Sequence, residues 1–247
     1  MLKIFIVLAL LVPSAAYAGA PSGKEIIEKM DRLLWGKTTV GLYEMTVTTP
    51  SWTRTLEMKA WESSREKTFI RILAPARERG NATLRRGVEM WNYLANVERV
   101  IKIPPSMMLQ SWMGSDFTND DLVKESSIVE DYDHTNLGEV ALDGTAVFKV
   151  EAIPKEDAPV VWGKVMYWAR VEDSVPLREE FYSERGELIR VLRFSDVREM
   201  GGRTIPTRWE MTPVKRAGRK TVFRIKEMEF NSEIPAEVFT LRNMKRF

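Results

Sequence analysis

The sequence predicts a mainly β fold: one large antiparallel sheet, curled into a barrel or an incompletely closed barrel, with a few short helices. Two observations predict it. Runs of alternating apolar and polar residues recur between residues 40 and 230, separated by short turns, and helical periodicity is nearly absent between them. A parallel α/β core would need a helix at each crossover. A sheet of about ten strands or more rarely stays flat, which leaves curling or closure.

The chain begins with Lys3, an unbroken apolar run at residues 4–12 and the A-x-A sequence Ala16-Tyr17-Ala18. This is the pattern of a secretory signal peptide, residues 1–18, and its apolar run falls far short of the ~20 residues that cross a bilayer. Residues 19–247 are then expected as a single soluble domain in the periplasm. The chain has no cysteine, which excludes disulfides, lipid attachment through a cysteine and thiolate metal sites.

After the cleavage point, Ser22 can cap a helix whose apolar positions Ile26, Ile27, Met30, Leu33 and Leu34 recur at three- and four-residue spacing. From Val40 the period changes to two. Tyr43, Met45 and Val47 alternate with Glu44, Thr46 and Thr48, and Leu56, Met58 and Ala60 alternate with Glu57, Lys59 and Trp61. Further strands are expected at residues 65–73, 89–94, 99–103, 146–153, 164–171, 177–182, 188–195, 204–212 and 221–230. Turn signals stand at Gly144, Gly186, Gly201-Gly202 and Ala217-Gly218.

Two segments interrupt the pattern. Residues 75–87 are rich in arginine. Residues 104–125 crowd Met107, Met108, Leu109, Trp112 and Met113 around Gln110 and Ser111, which leaves no adequately polar helical face. Thr118-Asn119-Asp120-Asp121 then resembles a capping box opening a short helix, and Pro235-Ala236-Glu237 opens another near the end.

Composition and motifs exclude most chemistry. A formal net charge of +2 with acids and bases interspersed does not indicate a nucleic-acid partner. Gly36-Lys37-Thr38-Thr39 looks like the end of a phosphate loop, but Asp31 occupies the required first glycine and a helix precedes it. Asp116 to Asp121 has calcium-loop spacing, yet Asp121 stands where glycine is needed and Ser127 where glutamate is needed.

His134 is the only histidine and no G-x-S-x-G elbow accompanies it, so it reads as a structural residue beside Asp131 and Asp133. Glu179 and Glu180 are adjacent, so on a strand they face opposite sides and cannot form a glycosidase pair. Phe247 could close an outer-membrane barrel strand, but Lys245 and Asn243 break the lipid-facing pattern. No catalytic residue, metal site or cofactor is expected, and the chain is read as not an enzyme.

What remains is an apolar surplus: 8 Trp, 13 Met and 10 Phe. Strand positions Met58, Met90, Trp91, Met166, Trp168, Trp209 and Met211 are candidates for the wall of a hydrophobic cavity. Met107, Met108, Leu109, Trp112, Met113 and Phe117 are candidates for its lid, since unbranched methionines repack around varied apolar shapes. Ordinary core packing is the competing reading of each.

Trp35-Gly36-Lys37 before the first strand, the run Trp112-Met113-Gly114-Ser115-Asp116-Phe117-Thr118-Asn119-Asp120-Asp121-Leu122 and Tyr132-Asp133-His134 resemble the outer-membrane lipoprotein-sorting (LolA-like) family, in its longer, poorly characterised branch. The resemblance covers about residues 22–247. It implies a half-open antiparallel β-barrel with an apolar concave face, helices acting as lid or plug, and a monomer that shuttles acyl chains across the periplasm. The partners it implies are lipid or lipoprotein acyl chains, an inner-membrane transporter and an outer-membrane acceptor. Its best-known members use a strand arginine near the cavity in release, and members of the longer branch resemble accessory proteins of lipid exporters. Three functions are therefore set against the structure: a carrier, a module that docks on a transporter and carries nothing, and a hydrolase built on His134 or carboxylates.

Overall fold

The computed structural model describes residues 19–64, 66–124, 128–158 and 160–246; the segment 1–18, expected from the sequence to be a signal peptide, lies outside them. The chain forms α1 (Gly23–Leu34), then β1 (Thr38–Thr48), β2 (Thr53–Ser63), β3 (Lys67–Ala74), β4 (Ala82–Arg86), β5 (Glu89–Leu94) and β6 (Arg99–Lys102). Two short 3₁₀ turns, Pro105–Met107 and Trp112–Gly114, precede α2 (Asn119–Lys124). The second half is β7 (Tyr132–Leu142), β8 (Thr145–Pro154), β9 (Lys164–Arg170), β10 (Pro176–Tyr182), β11 (Leu188–Met200), β12 (Arg203–Pro213) and β13 (Lys220–Phe230). A 3₁₀ turn, Ala236–Phe239, and α3 (Leu241–Met244) follow.

All thirteen strands belong to one antiparallel sheet in the order β6-β5-β4-β3-β2-β1-β13-β12-β11-β10-β9-β8-β7. Two meanders are joined where β1 pairs with β13, from Thr39 opposite Phe230 to Thr48 opposite Lys220. β6 and β7 are the two free edges, so the sheet is open. That topology dictates the rest: the segment linking β6 to β7 must pass from one edge to the other, and it does so across the concave face.

Two predicted details change. β4 lies inside the arginine-rich segment read as an interruption, and β7 was not expected. β4 is only five residues long and its Arg85 is buried, with Nε and Nη2 donating to Thr68 Oγ1 at 3.3 and 3.2 Å. Such a charged, short strand has no period to detect. β7 is an edge strand with Gly138 at φ 95° where its pairing with β8 shifts register, and Tyr132 is its one buried residue, so no buried apolar stripe marks it.

α1 has the N-terminus that its sequence announces. Glu25 N donates to Ser22 Oγ at 3.2 Å and Ser22 N donates to Glu25 Oε2 at 2.7 Å, a reciprocal capping box. The helix buries Gly23, Ile26, Ile27 and Met30 against β7 and β8, and its C-terminal turn reaches β12. The contact is close: a Cβ on Gly23 would sit 2.8 Å from the backbone carbonyl of His134. Glycine there lets the helix lie flat on β7.

The concave face carries two separate buried clusters. One joins Ile26, Ile27 and Met30 of α1 to Tyr132, Phe148, Val150, Val165 and Tyr167. The other joins Met45, Val47, Leu56, Met58, Ile70, Ile72 and Met90 to Trp112. On the outer face, Phe69, Leu84, Trp91 and Tyr93 are covered by Phe239 and Met244 of the C-terminal segment. Arg71 fastens that segment by donating to the Asn243 carbonyl at 2.6 Å.

Candidate functional site

Between the two concave-face clusters lies a cavity of about 250 Å³. Its inner wall is the sheet: Tyr43, Met58, Ala60 and Ile70 from β1 to β3, and Tyr167, Phe181, Leu192, Phe194, Trp209, Met211 and Phe223 from β9 to β13. α1 supplies Ile27, Met30 and Leu34, and the crossing segment closes the top with Trp112, Phe117 and Leu122. Ring packing runs through the wall, with Phe117 on Phe223 at 5.2 Å, Phe194 on Trp209 at 5.6 Å and Trp35 on Trp209 at 6.4 Å between centroids.

The crossing segment is held by side chains from distant strands. Trp112 is 1% exposed and its indole N–H donates to Thr83 Oγ1 at 3.1 Å. Asp116 accepts from Thr221 Oγ1 at 2.7 Å and pairs with Arg219, whose Nη2 donates to the Gly114 carbonyl at 2.8 Å. Thr118 caps α2: its amide donates to Asp121 Oδ2 at 2.7 Å, and Asp121 N donates back to its hydroxyl at 3.1 Å. Asp116 and Asp121 thus serve as anchor and cap, with no calcium-loop geometry.

Asp121 has a second partner. Arg190 of β11 donates from Nη1 to Asp121 Oδ2 at 2.7 Å and from Nη2 to Oδ1, a two-pronged ion pair between sheet and α2. The guanidinium is buried between the rings of Trp162 and Phe181, 4.5 and 4.4 Å from their centroids. Strand parity brought Arg190 inward with Leu192 and Phe194. That alternation was readable in the sequence, and a lone arginine on an apolar stripe was its signal.

Glu179 of β10 also faces the cavity, opposite Tyr167 of β9 and Leu192 of β11. Burial pushes its carboxyl up to about 8, the nearby Arg190 pulls it down, and Asp121 pushes it up. Burial likewise raises the Tyr167 hydroxyl well above its ordinary value, with Glu179 adding to the effect. Glu180, by contrast, sits on the outer face with Arg178 and Tyr182, so the two adjacent carboxyls are on opposite sides of the sheet.

Of the sequence candidates, Met58, Trp112, Phe117, Trp209 and Met211 line the cavity. Met90, Met108 and Met113 pack in the cluster beneath the crossing segment, beside the cavity wall. Trp91, Met166 and Trp168 lie on the convex face. Met107 and Leu109 are exposed, 37% and 60%. The convex placements have a physical reason: β9 reads VMYWA, apolar on both faces, and the outer rings are roofed by cations, Lys149 and Arg178 over Trp168 and Arg86 over Trp91.

His134 is half-buried and donates from Nε2 to the Ile128 carbonyl at 3.0 Å. Desolvation lowers its pKa from the ordinary value, an effect that the hydrogen bond to Ile128 opposes. Among the described residues no group of three or more His, Cys, Asp or Glu side chains could hold a metal ion, and no helix is long and apolar enough to cross a membrane.

A family model described as an uncharacterized protein matches residues 64–246. No curated protein matches the chain. Among solved structures, a DUF1329 family protein from Desulfovibrio piger is similar over 90% of this chain and 97% of its own, at 22% identity and a TM-score of 0.81. A protein described as an outer membrane lipoprotein-sorting protein domain, from Vibrio parahaemolyticus, covers 91% of this chain and 98% of its own at 24% identity, TM-score 0.77. A LolA superfamily protein from Nitrosomonas europaea covers 91% and 100% at 22% identity, TM-score 0.75. These likenesses establish the fold: one open antiparallel sheet with few short helices.

Proposed function

We propose a carrier function from this premise: the chain belongs to the family of LolA-like uncharacterized proteins whose model matches residues 64–246. It works in the periplasm, binding the acyl part of a lipid or lipoprotein in its cavity and passing it toward the outer membrane, without chemistry of its own. One observation carries the reading. The apolar concave face of the sheet is left partly unfilled, with a cavity of about 250 Å³ walled by aromatic and aliphatic side chains and roofed by the segment that links the sheet's two edges.

Each methylene removed from water contributes about 0.8 kcal/mol, so a long acyl chain held there gains on the order of 10 kcal/mol before ordering costs. Release then needs the roof to open. The Arg190–Asp121 pair is the contact that ties α2 to the sheet directly over the cavity, which makes it the natural latch.

Mass spectrometry of organic extracts of protein purified from the periplasm, with titration of a fluorescent fatty acid, tests the reading. Co-purified lipid and saturable uptake are expected. Protein that is always empty and takes up nothing overturns it. Exposure of Met107 and Leu109 at the tip of the crossing segment favours a contact there with a donor or acceptor protein. Capture of such a partner whether or not lipid is added, with no lipid uptake, would make the chain a docking module instead.

A further inference from the structure

The cavity is not uniformly greasy. At its β1–β3 end the wall is Met58, Ala60 and Ile70, and the polar groups there, Tyr43, Glu62 and Thr68, already have partners. At its β9–β11 end stand the Glu179 carboxyl and the Tyr167 hydroxyl, directly opposite each other in the β9–β10 register, with Tyr132 of β7 also on the wall. Glu179 is 9% exposed, Tyr167 2% and Tyr132 6%. Among the described residues no hydrogen bond reaches any of these three groups, and they are not among the side chains held by further contacts.

Folded proteins pair their buried polar groups, and each one left unpaired demands an explanation. Packing does not supply it, because leucine at position 179 would match its neighbours Leu192 and Phe181 at no desolvation cost. Ligand sites do show this pattern: an apolar pocket with a few convergent polar groups that fix orientation. Arg190, one row along the sheet, has its charge already committed to Asp121 and its Nε sealed without a partner, so it contributes positive potential rather than a free donor.

We infer that the cavity binds its cargo polar end first, with Glu179 donating a hydrogen bond to a carbonyl oxygen of a fatty acyl group while the alkyl tail runs toward Met58 and Ile70. The inference rests on the carrier reading and specifies its substrate class: an acyl carbonyl, borne by a free fatty acid or by an acyl ester. Burial keeps the Glu179 carboxyl protonated at neutral pH, which is the form that can donate.

Displacement of a cavity-bound naphthylamine dye by dodecanoic acid, methyl dodecanoate, dodecane and dodecylamine tests it. At neutral pH, wild-type protein should prefer the acid or the ester over dodecane by tenfold or more. Preference for the ester points to esterified cargo, preference for the acid points to free fatty acid, and equal affinity for both places recognition on the carbonyl they share. In Glu179→Leu the ratio of ester to alkane should fall toward one, and in Glu179→Gln, which keeps an N–H donor, it should survive.

Equal affinity of the wild type for ester and alkane, or a ratio that persists in Glu179→Leu, overturns the inference while leaving the carrier reading intact. A preference for dodecylamine overturns it as well, since Glu179 would then act as a carboxylate. No displacement by any of the four ligands overturns the carrier reading itself.

Discussion

Arg190 and Glu179 sit directly beside core positions, opposite Phe181 and Leu192 in the β10–β11 register, yet each departs from them in a way that can be measured. The Arg190 side chain is 6% exposed and that of Asp121 17%. Removing one partner of a buried ion pair strands the other charge, at a cost of about 3–5 kcal/mol, and the partial exposure of Asp121 puts this pair at the lower end. Arg190→Leu should therefore destabilise the protein by about 3 kcal/mol and speed amide exchange in residues 105–124 ahead of the strands. Unchanged exchange there would mean that the pair does not hold the roof down. Glu179 gives a pH signature. Its carboxyl titrates at about 8 when folded and near 4.5 when exposed, so between those values the native state holds a proton that the unfolded chain has lost. Stability must then fall as pH rises through that window and level off above it. Glu179→Gln removes the slope: its melting temperature should match wild type at pH 4 and exceed it by roughly 10 °C at pH 9. Calorimetry across that range checks the sign.

At the scale of elements, the helix and the meanders were legible and the sidedness of the strands was not. Ser22 announced the start of α1, and alternation with short turns located β1 to β3 and most of β8 to β13. β9 defeats that logic. Val165, Tyr167 and Ala169 face the cavity side while Met166 and Trp168 face outward under Lys149 and Arg178, so composition alone could not say which set is inside. β4 and β7 escaped for a related reason: short or edge strands need no apolar stripe. Two further predictions belong here. Gly23→Ala should push α1 off β7, because its Cβ would lie 2.8 Å from the His134 carbonyl; a loss of about 1–3 kcal/mol in urea unfolding and weaker lipid uptake are expected. Trp112→Ala removes the largest buried side chain of the crossing segment and the partner of Thr83, and should cost about 3–5 kcal/mol while abolishing retention of a fluorescent fatty acid. Retained binding in both variants would leave the roof and the plug without a role.

The whole molecule turns one topological fact into a binding device. Because β6 and β7 are the opposite edges of an open thirteen-stranded sheet, the chain between them has to span the concavity, and it and α1 both line the cavity. A cavity walled by the sheet, α1 and the crossing segment is finite, unlike a groove along a bare sheet, and that difference is measurable with ligands alone. In a homologous series of fatty acids, each added methylene should tighten binding about fourfold, the equivalent of ~0.8 kcal/mol, while the tail still finds wall. Once the tail outgrows the enclosed space of about 250 Å³, further methylenes stay in water or force the roof up, and affinity should plateau or fall. Fluorescence displacement with chains of increasing length reads the break point directly. Arg190→Leu, which frees α2 from the sheet, should move that break to longer chains, since the roof and not the sheet sets the limit. A steady gain with no break would mean that the tail lies along an open surface, and the sheet's curvature would then serve packing alone.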